Sequence, residues 1–257
     1  MISLIALDGI PEISPGDDLA ALIAAALAAG GIGLESGDVL VVTQKVVSKA
    51  EGRVVELASV TPGEDARAWA ERWGKDPRQV ELVLRESAHV LRMADGGLII
   101  SRTRHGFVCA NAGVDLSNVG GGEVATLLPL DPDASARGLR DRLLALTGVA
   151  VGVVISDSFG RPWRNGIVNV AIGCAGLEPL LDLRGTPDVQ GRVMHSTVIA
   201  VADELASAAD LAGGKVTQRP VVLVRGWEHE AGDGAVEGAV EGAASALVMD
   251  RELDLFP

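Results

Sequence analysis

The residues of this chain that could do chemistry recur at the ends of apolar runs. The clearest case is Val151-Gly-Val-Val-Ile-Ser-Asp157-Ser158-Phe-Gly-Arg161-Pro-Trp163-Arg164-Asn-Gly166. A β-branched run bounded by glycines reads as a buried strand. It delivers a carboxylate and a hydroxyl into a turn-rich segment with two guanidinium groups, a set suited to a divalent metal and phosphate. A second run, Val39 to Val42, leads into Thr43-Gln44-Lys45-Val-Val-Ser48-Lys49, whose amines, hydroxyls and backbone N–H groups suit a phosphate cradle. A third ends in Asn111-Ala-Gly-Val-Asp115-Leu-Ser117-Asn118, and a fourth basic segment is Gly213-Gly214-Lys215-Val-Thr217-Gln218-Arg219. Each has an ordinary reading of its own, as a solvated basic loop or an Asx turn. Two strand ends that each present an aspartate, beside loops rich in Lys and Arg, support a Mg²⁺- or Mn²⁺-dependent nucleotide enzyme, since one or two carboxylates commonly hold such an ion against phosphates.

The residues do not name a reaction. The Gly-x4-Gly-Lys-Ser/Thr pattern of a Walker loop is missing. The four histidines are scattered, no Ser-His-Asp set stands out, and Cys109 and Cys174 lie in apolar runs without metal-ligand spacing. Both read as buried thiols in a reducing compartment. Phosphoryl transfer needs little from a protein beyond positioned metals and positive groups, so the inventory suffices for it.

Several elements must position these groups. The spacing predicts a strand over 1–8 and, after a turn, an alanine-rich helix from Asp17 or Asp18 to about Gly30. Helices are expected over 63–73 and 76–94, the latter capped by Asp76 with Pro77 in its first turn. Trp69 and Trp73 read as core, and Glu86 and His89 as surface or cap groups. A hairpin is expected from 96–102 and 106–110, a helix over 134–147 capped by Asp133, and strands over 149–156, 168–174 and 221–224. A strand-to-helix segment runs from His195 to about Ala212. The four-residue repeat from Gly234 reads as a linker into a last helix over 243–250.

The totals bound the class. A length of 257 residues with 48% hydrophobic and 22% charged residues allows a sizeable core, in one domain or two intimately joined ones. Aromatics are only 3%, with no Tyr, so that core rests on Ala, Val, Leu and Ile. A net charge of −13 argues against nucleic acid and anionic membranes as partners. No run reaches the roughly 18 apolar residues of a membrane span and no signal peptide is evident, so the expected location is cytoplasmic.

Taken in order, these stretches resemble the F420-0 γ-glutamyl ligase family, the coenzyme F420:L-glutamate ligases. The matching pieces are Gly37 to Val42 with Val47 to Arg53, Asn111 to Asn118, Leu128 to Asp133, Asp157 to Gly166 with Ala171-Ile-Gly173, and Pro220 to Gly226. The resemblance implies an α+β fold of mixed sheets and helices, a single domain over 1–257 with two interwoven subdomains, and a homodimer. It implies GTP-dependent attachment of L-glutamate to F420-0 through an acyl phosphate, then of a second, γ-linked glutamate. It implies two divalent ions, Mg²⁺ or Mn²⁺, with K⁺ as a further candidate. By position, Asp115, Asp157 and Ser158 match metal ligands, with Asp115, Asp157 and Lys49 in the catalytic set. Ile10, Pro11, Glu12, Ile13, Gln44, Lys45, Lys49, Asn118, Gly214, Lys215 and Gln218 match the GTP site. Gln44 and Lys45 depart from the small hydroxyl residues of some members, and Gly214 stands where some relatives place an acidic metal contact. Some relatives carry a C-terminal nitroreductase-like domain that this sequence does not show. A related ligase with another carboxylate acceptor, and a GTP-binding module without turnover, fit the same loops.

Overall fold

A computed structural model describes residues 1–116, 123–228 and 242–253. The chain begins with β1 (Ser3–Ala6) and α1 (Leu19–Ala29), whose N-cap Asp18 accepts a hydrogen bond from the Ala21 N–H. There follow β2 (Val39–Thr43) and a seven-residue helix α2 (Gln44–Ala50). Next come β3 (Val54–Glu56), α3 (Glu64–Trp73), α4 (Pro77–Glu86), β4 (Ser87–Ala94), β5 (Leu98–Thr103), β6 (Val108–Ala110) and β7 (Val124–Thr126). Helix α5 (Pro132–Thr147) leads into the long strands β8 (Gly152–Arg161) and β9 (Arg164–Ala175), then the short pair β10 (Leu181–Asp182) and β11 (Val198–Ile199), α6 (Val201–Gly213) and β12 (Val221–Arg225). Helices combined with parallel and antiparallel strand pairs make this an α+β fold.

The main sheet has the order β1-β12-β2-β8-β9. Its central strands carry continuous apolar runs, Val39 to Val42, Val153 to Ile155 and Val221 to Val224, because both faces are covered. Leu40, Val42, Val153, Ile155 and Leu223 enter one core with Ile23 of α1 and Leu143 of α5. Val39, Val41, Val154, Val222 and Val224 enter a second core with Leu205 and Ala209 of α6. A strand with period-two side chains needs a continuous apolar run when it is sandwiched in this way.

A third core is built from the segment between α2 and α5, around Leu57, Val80, Val83, Ile99, Val114 and Leu127. The chain leaves the sheet near Arg53 and returns near Leu128, so the two bodies are interleaved in sequence. They are stitched where they meet: the Arg53 guanidinium donates to the Leu128 carbonyl (2.8 Å) and pairs with Glu86 (2.8 Å).

Several expectations need correction. The helix expected over 76–94 stops at Glu86, and 87–94 is β4, paired with β5 across a turn at Gly96 and Gly97, which both have positive φ. Mixed apolar spacing allowed either period, and strand pairing decided it by satisfying the backbone. Glu86 is consequently not a surface group, since its ion pair with Arg53 is largely enclosed. His89 is exposed on β4 rather than on a helix. Asp131, not Asp133, caps α5, accepting from the Ala134 N–H (2.9 Å). Asp133 is buried and accepts instead from the N–H groups of Cys174 (2.9 Å), Ala244 (2.7 Å) and Ser245 (3.2 Å). The polar segment after β2 is a helix, and the expected loop beyond Asp157 is a continuation of β8 to Arg161. In place of a last α-helix, 3-10 turns occupy Ala244–Leu247 and Arg251–Leu253, and the linker repeat lies outside the described residues apart from its end.

Candidate active site

The sheet order gathers stretches that are far apart in sequence. Strands β2 and β8 run parallel, with Thr43 opposite Ser156. β12 is antiparallel to both β1 and β2, so the end of β1, the end of β2, the middle of β8 and the start of β12 share one edge. Backbone bonds seal it: the Leu7 N–H donates to the Val221 carbonyl (2.9 Å) and the Thr43 N–H to the Pro220 carbonyl (2.9 Å). Residues 10–13, 44–49, 157–158 and 215–219 therefore emerge together at the carboxyl ends of the parallel strands, where open α/β sheets place their ligands.

Side-chain contacts join them. Lys45 and Lys49 lie one turn apart on α2; Lys45 pairs with Asp115 (2.7 Å) and the buried Lys49 with the exposed Glu12 (2.5 Å). Lys215 donates to the Ser158 hydroxyl (3.0 Å), which itself donates to Oδ1 of the buried Asn169 (2.7 Å). Burial pushes the Asp157 carboxyl up to about 6; the Ser158 N–H and Lys215 ease it down, Asp115 adds repulsion, and Lys45 eases it again. Lys45, Lys215, Asp115 and Asp157 thus act on one another at this edge. Burial, with the Asp157 charge second, also pushes the Cys109 thiol up to about 12, so Cys109 is an inert neighbour and not a nucleophile. Cys174 is likewise a buried thiol pushed up to about 12 by burial.

The other expected site residues divide into those that can face a ligand and those that support. Pro11 and Glu12 are exposed, whereas Ile13 is buried in the first core and Ile10 packs against it. Gln44 is buried, with its amide on the Ser48 hydroxyl (2.6 Å) and the Leu127 carbonyl (3.2 Å), so it braces α2 against the inserted body. Gly214 takes a positive φ to end α6, and Gln218 takes one in the following loop, which the Thr217 hydroxyl ties back by donating to the Gly213 carbonyl. Asn118 lies outside the described residues. Asn169 was missed by sequence reasoning. Its signal was a lone amide in the apolar run Val168 to Cys174.

The donor set of Asp115, Asp157 and Ser158 is all oxygen, which suits Mg²⁺ or Mn²⁺ and not a soft metal. Among the described residues no three His, Cys, Asp or Glu side chains form a self-sufficient metal cage.

The sequence profile of the family described as F420-0:Gamma-glutamyl ligase matches residues 9–226. The chain belongs to this family. Among curated relatives it is similar to the coenzyme F420:L-glutamate ligase of Methanothermobacter thermautotrophicus, with 47% identity over 99% of this chain and 98% of the relative. It is 49% identical to that of Methanopyrus kandleri over 85% of this chain and 84% of the relative. For Methanocaldococcus jannaschii the identity is 42% over 78% and 80%. The matched span of the F420-0:Gamma-glutamyl ligase family runs from the turn before Ile10 through β12, so it contains residues 10–13, 44–49, 157–158 and 215–219 of the edge above, while β1 lies before it.

Proposed function

We propose that the protein is a GTP-dependent ligase that joins the amine of L-glutamate to the terminal carboxylate of F420-0 in coenzyme F420 biosynthesis, and then joins the amine of a second glutamate to the γ-carboxylate of the first. The observation that carries this reading is the meeting of Asp115 and Asp157 with Lys45 and Lys215 at one sheet edge, in a chain so similar to proteins of that name. Among the described residues no helix is long and apolar enough to cross a membrane.

The chemistry divides into two displacements. A carboxylate oxygen of the acceptor attacks the γ-phosphorus of GTP, and the bond to the β-phosphate bridging oxygen breaks to release GDP. The glutamate amine then attacks the acyl carbon and phosphate leaves, forming the amide. Lys49, Lys45 and Lys215 place positive charge where phosphate charge shifts, and the burial of Lys49 makes its charge count for more than in water. Asp115, Asp157 and Ser158 would hold divalent ions, which supply further neutralisation of the phosphates and of the developing oxyanion. Lys49 is bound by Glu12 in this structure, so phosphates arriving there compete with an exposed carboxylate that can swing to solvent.

The test is incubation with F420-0, L-glutamate, GTP and Mn²⁺, with products read by mass spectrometry. A gain of one or two glutamyl masses that depends on GTP is the expected result. GTP binding without any gain removes this assignment in favour of another acceptor or a binding module.

A further inference from the structure

Strands β8 and β9 do not stop where the main sheet stops. Strand β2 ends at Thr43, opposite Ser156, but β8 and β9 stay paired from Asp157 and Val170 outward to Arg161 and Arg164. This two-stranded ribbon leaves the active-site edge at Ser158 and runs to Arg161, roughly 10 Å at a strand's rise, before it turns at Trp163. Pro162 and Trp163 make its turn.

Two features of Trp163 oppose stability. It is 80% exposed, and its φ is +58°. With Pro at the preceding position, a residue of positive φ occupies the place where turns of this kind favour Gly. A bulky side chain in the left-handed region is strained and calls for a functional account. The ribbon is also the wrong sign for this protein. No acidic residue occurs between Asp157 and Glu178, while Arg161 and Arg164 flank the tryptophan, in a chain of net charge −13. Arg161 donates to the Asn165 carbonyl (3.2 Å), and its Nε–H, closed off from solvent, meets no acceptor among the described residues.

We propose that this ribbon is the acceptor platform: Trp163 stacks on the flat heteroaromatic ring of an anionic acceptor, and Arg161 and Arg164 take its backbone phosphate. The inference rests on the ligase reading above. It follows from the sheet order, which puts Glu12 and Lys49 on the β1–β2 side and the ribbon on the β8–β9 edge, with Asp157 between. A nucleotide on the first side leaves the second for a long acceptor whose carboxylate ends at Asp157 and Ser158. A ring stacked on an exposed indole and a phosphate on guanidinium groups use the chemistry each side chain offers best.

The experiment compares Trp163→Gly, Trp163→Phe and Arg164→Ala with the wild type. Steady-state KM for F420-0 and for GTP, F420-0 binding by its own fluorescence, thermal midpoint and association state by light scattering are all measured. Trp163→Gly is expected to raise KM and Kd for F420-0 about tenfold or more, as loss of a stacking partner does. GTP KM stays unchanged, and the midpoint stays level or rises because Gly relieves the turn. Phe restores most of the affinity, and Arg164→Ala weakens F420-0 binding in a salt-dependent way. The proposal is overturned if F420-0 affinity is unchanged in Trp163→Gly, if GTP KM rises instead, or if the variant changes association state and loses both affinities together, which marks a contact between copies. If the wild type binds F420-0 without turning it over, the ligase reading fails while the binding comparison still decides the platform; if it does not bind F420-0, the platform fails too.

Discussion

A carboxylate enclosed by protein is held at a cost, and Asp157 is held that way. Its pKa of about 6 in the folded chain stands above the 3.8 of an ordinary aspartate, mainly through burial. With metals removed by EDTA, folding therefore loses stability as pH rises from 3.8, where the unfolded chain ionises the group, to about 6, where the folded chain must follow, and the full loss stands above that. Asp157→Asn is expected to abolish ligation while stabilising the metal-free protein, by roughly 2–3 kcal/mol above pH 7 and little at pH 4. Urea titrations at the two pH values read this, and a variant no more stable than wild type at pH 8 would show Asp157 to be well solvated. The place of Asp157 at the sheet edge was legible in the sequence because a lone Asp-Ser ended an apolar run. The role of Asn169 was not, because only the strand register sets it against Ser158. The contact of the Gln44 amide with the Leu127 carbonyl, 83 residues on, was equally hidden, because only the tertiary fold brings the two together.

At the scale of elements, the site's precision comes from how α5 and α6 clamp the β8–β9 hairpin. Ile155 pairs with Gly173 but Ser156 with Ala171, so Ile172 is a bulge on β9 immediately inside the active-site edge. The bulge frees the Ala171 N–H, which donates to Asp203 of α6 (2.8 Å), while the Ser207 hydroxyl donates to the Asn169 carbonyl (2.7 Å). On the other side, a Cβ added at Gly173 would strike the Pro132 carbonyl at the start of α5. Gly173→Ala is thus expected to cost about 1–3 kcal/mol by overpacking, read as a lower urea midpoint. Asp133→Ala removes the acceptor of three backbone N–H groups, two of them in buried contacts, and is expected to cost about 3 kcal/mol or more. Both variants should lose activity only as they lose fold, unlike Asp157→Asn. The apolar runs revealed the central strands, and the aspartate cap signals revealed the starts of α1 and α4. The split of 76–94 into helix and strand was hidden, since periodicity cannot count hydrogen-bond partners supplied by β5.

At the scale of the whole molecule, Asp115 comes from the inserted body and Asp157 from the main sheet, so an ion held between them ties two hydrophobic cores together. Mn²⁺ at a hundredfold over its Kd should stabilise the protein by about 2.7 kcal/mol, several degrees in thermal midpoint, and Asp115→Asn should lose that gain. Equal Mn²⁺ protection in the variant would place the ion elsewhere. The overall acidity makes local positive charge at this edge more telling, and composition alone showed that need without locating the answer. The order β1-β12-β2 carries a last consequence, in time rather than space. Strand β12 sits between β1 and β2, yet it is made about 180 residues after β2. At translation rates of roughly 5–20 residues per second, β1 waits on the order of 10–40 s for its neighbour. Until Val221 to Arg225 slot in, the edges of β1 and β2 that they will cover stay open, and the loop carrying Lys215 has no anchor beside Ser158. The nascent chain therefore cannot assemble this edge early, and β12 is the keystone that completes it.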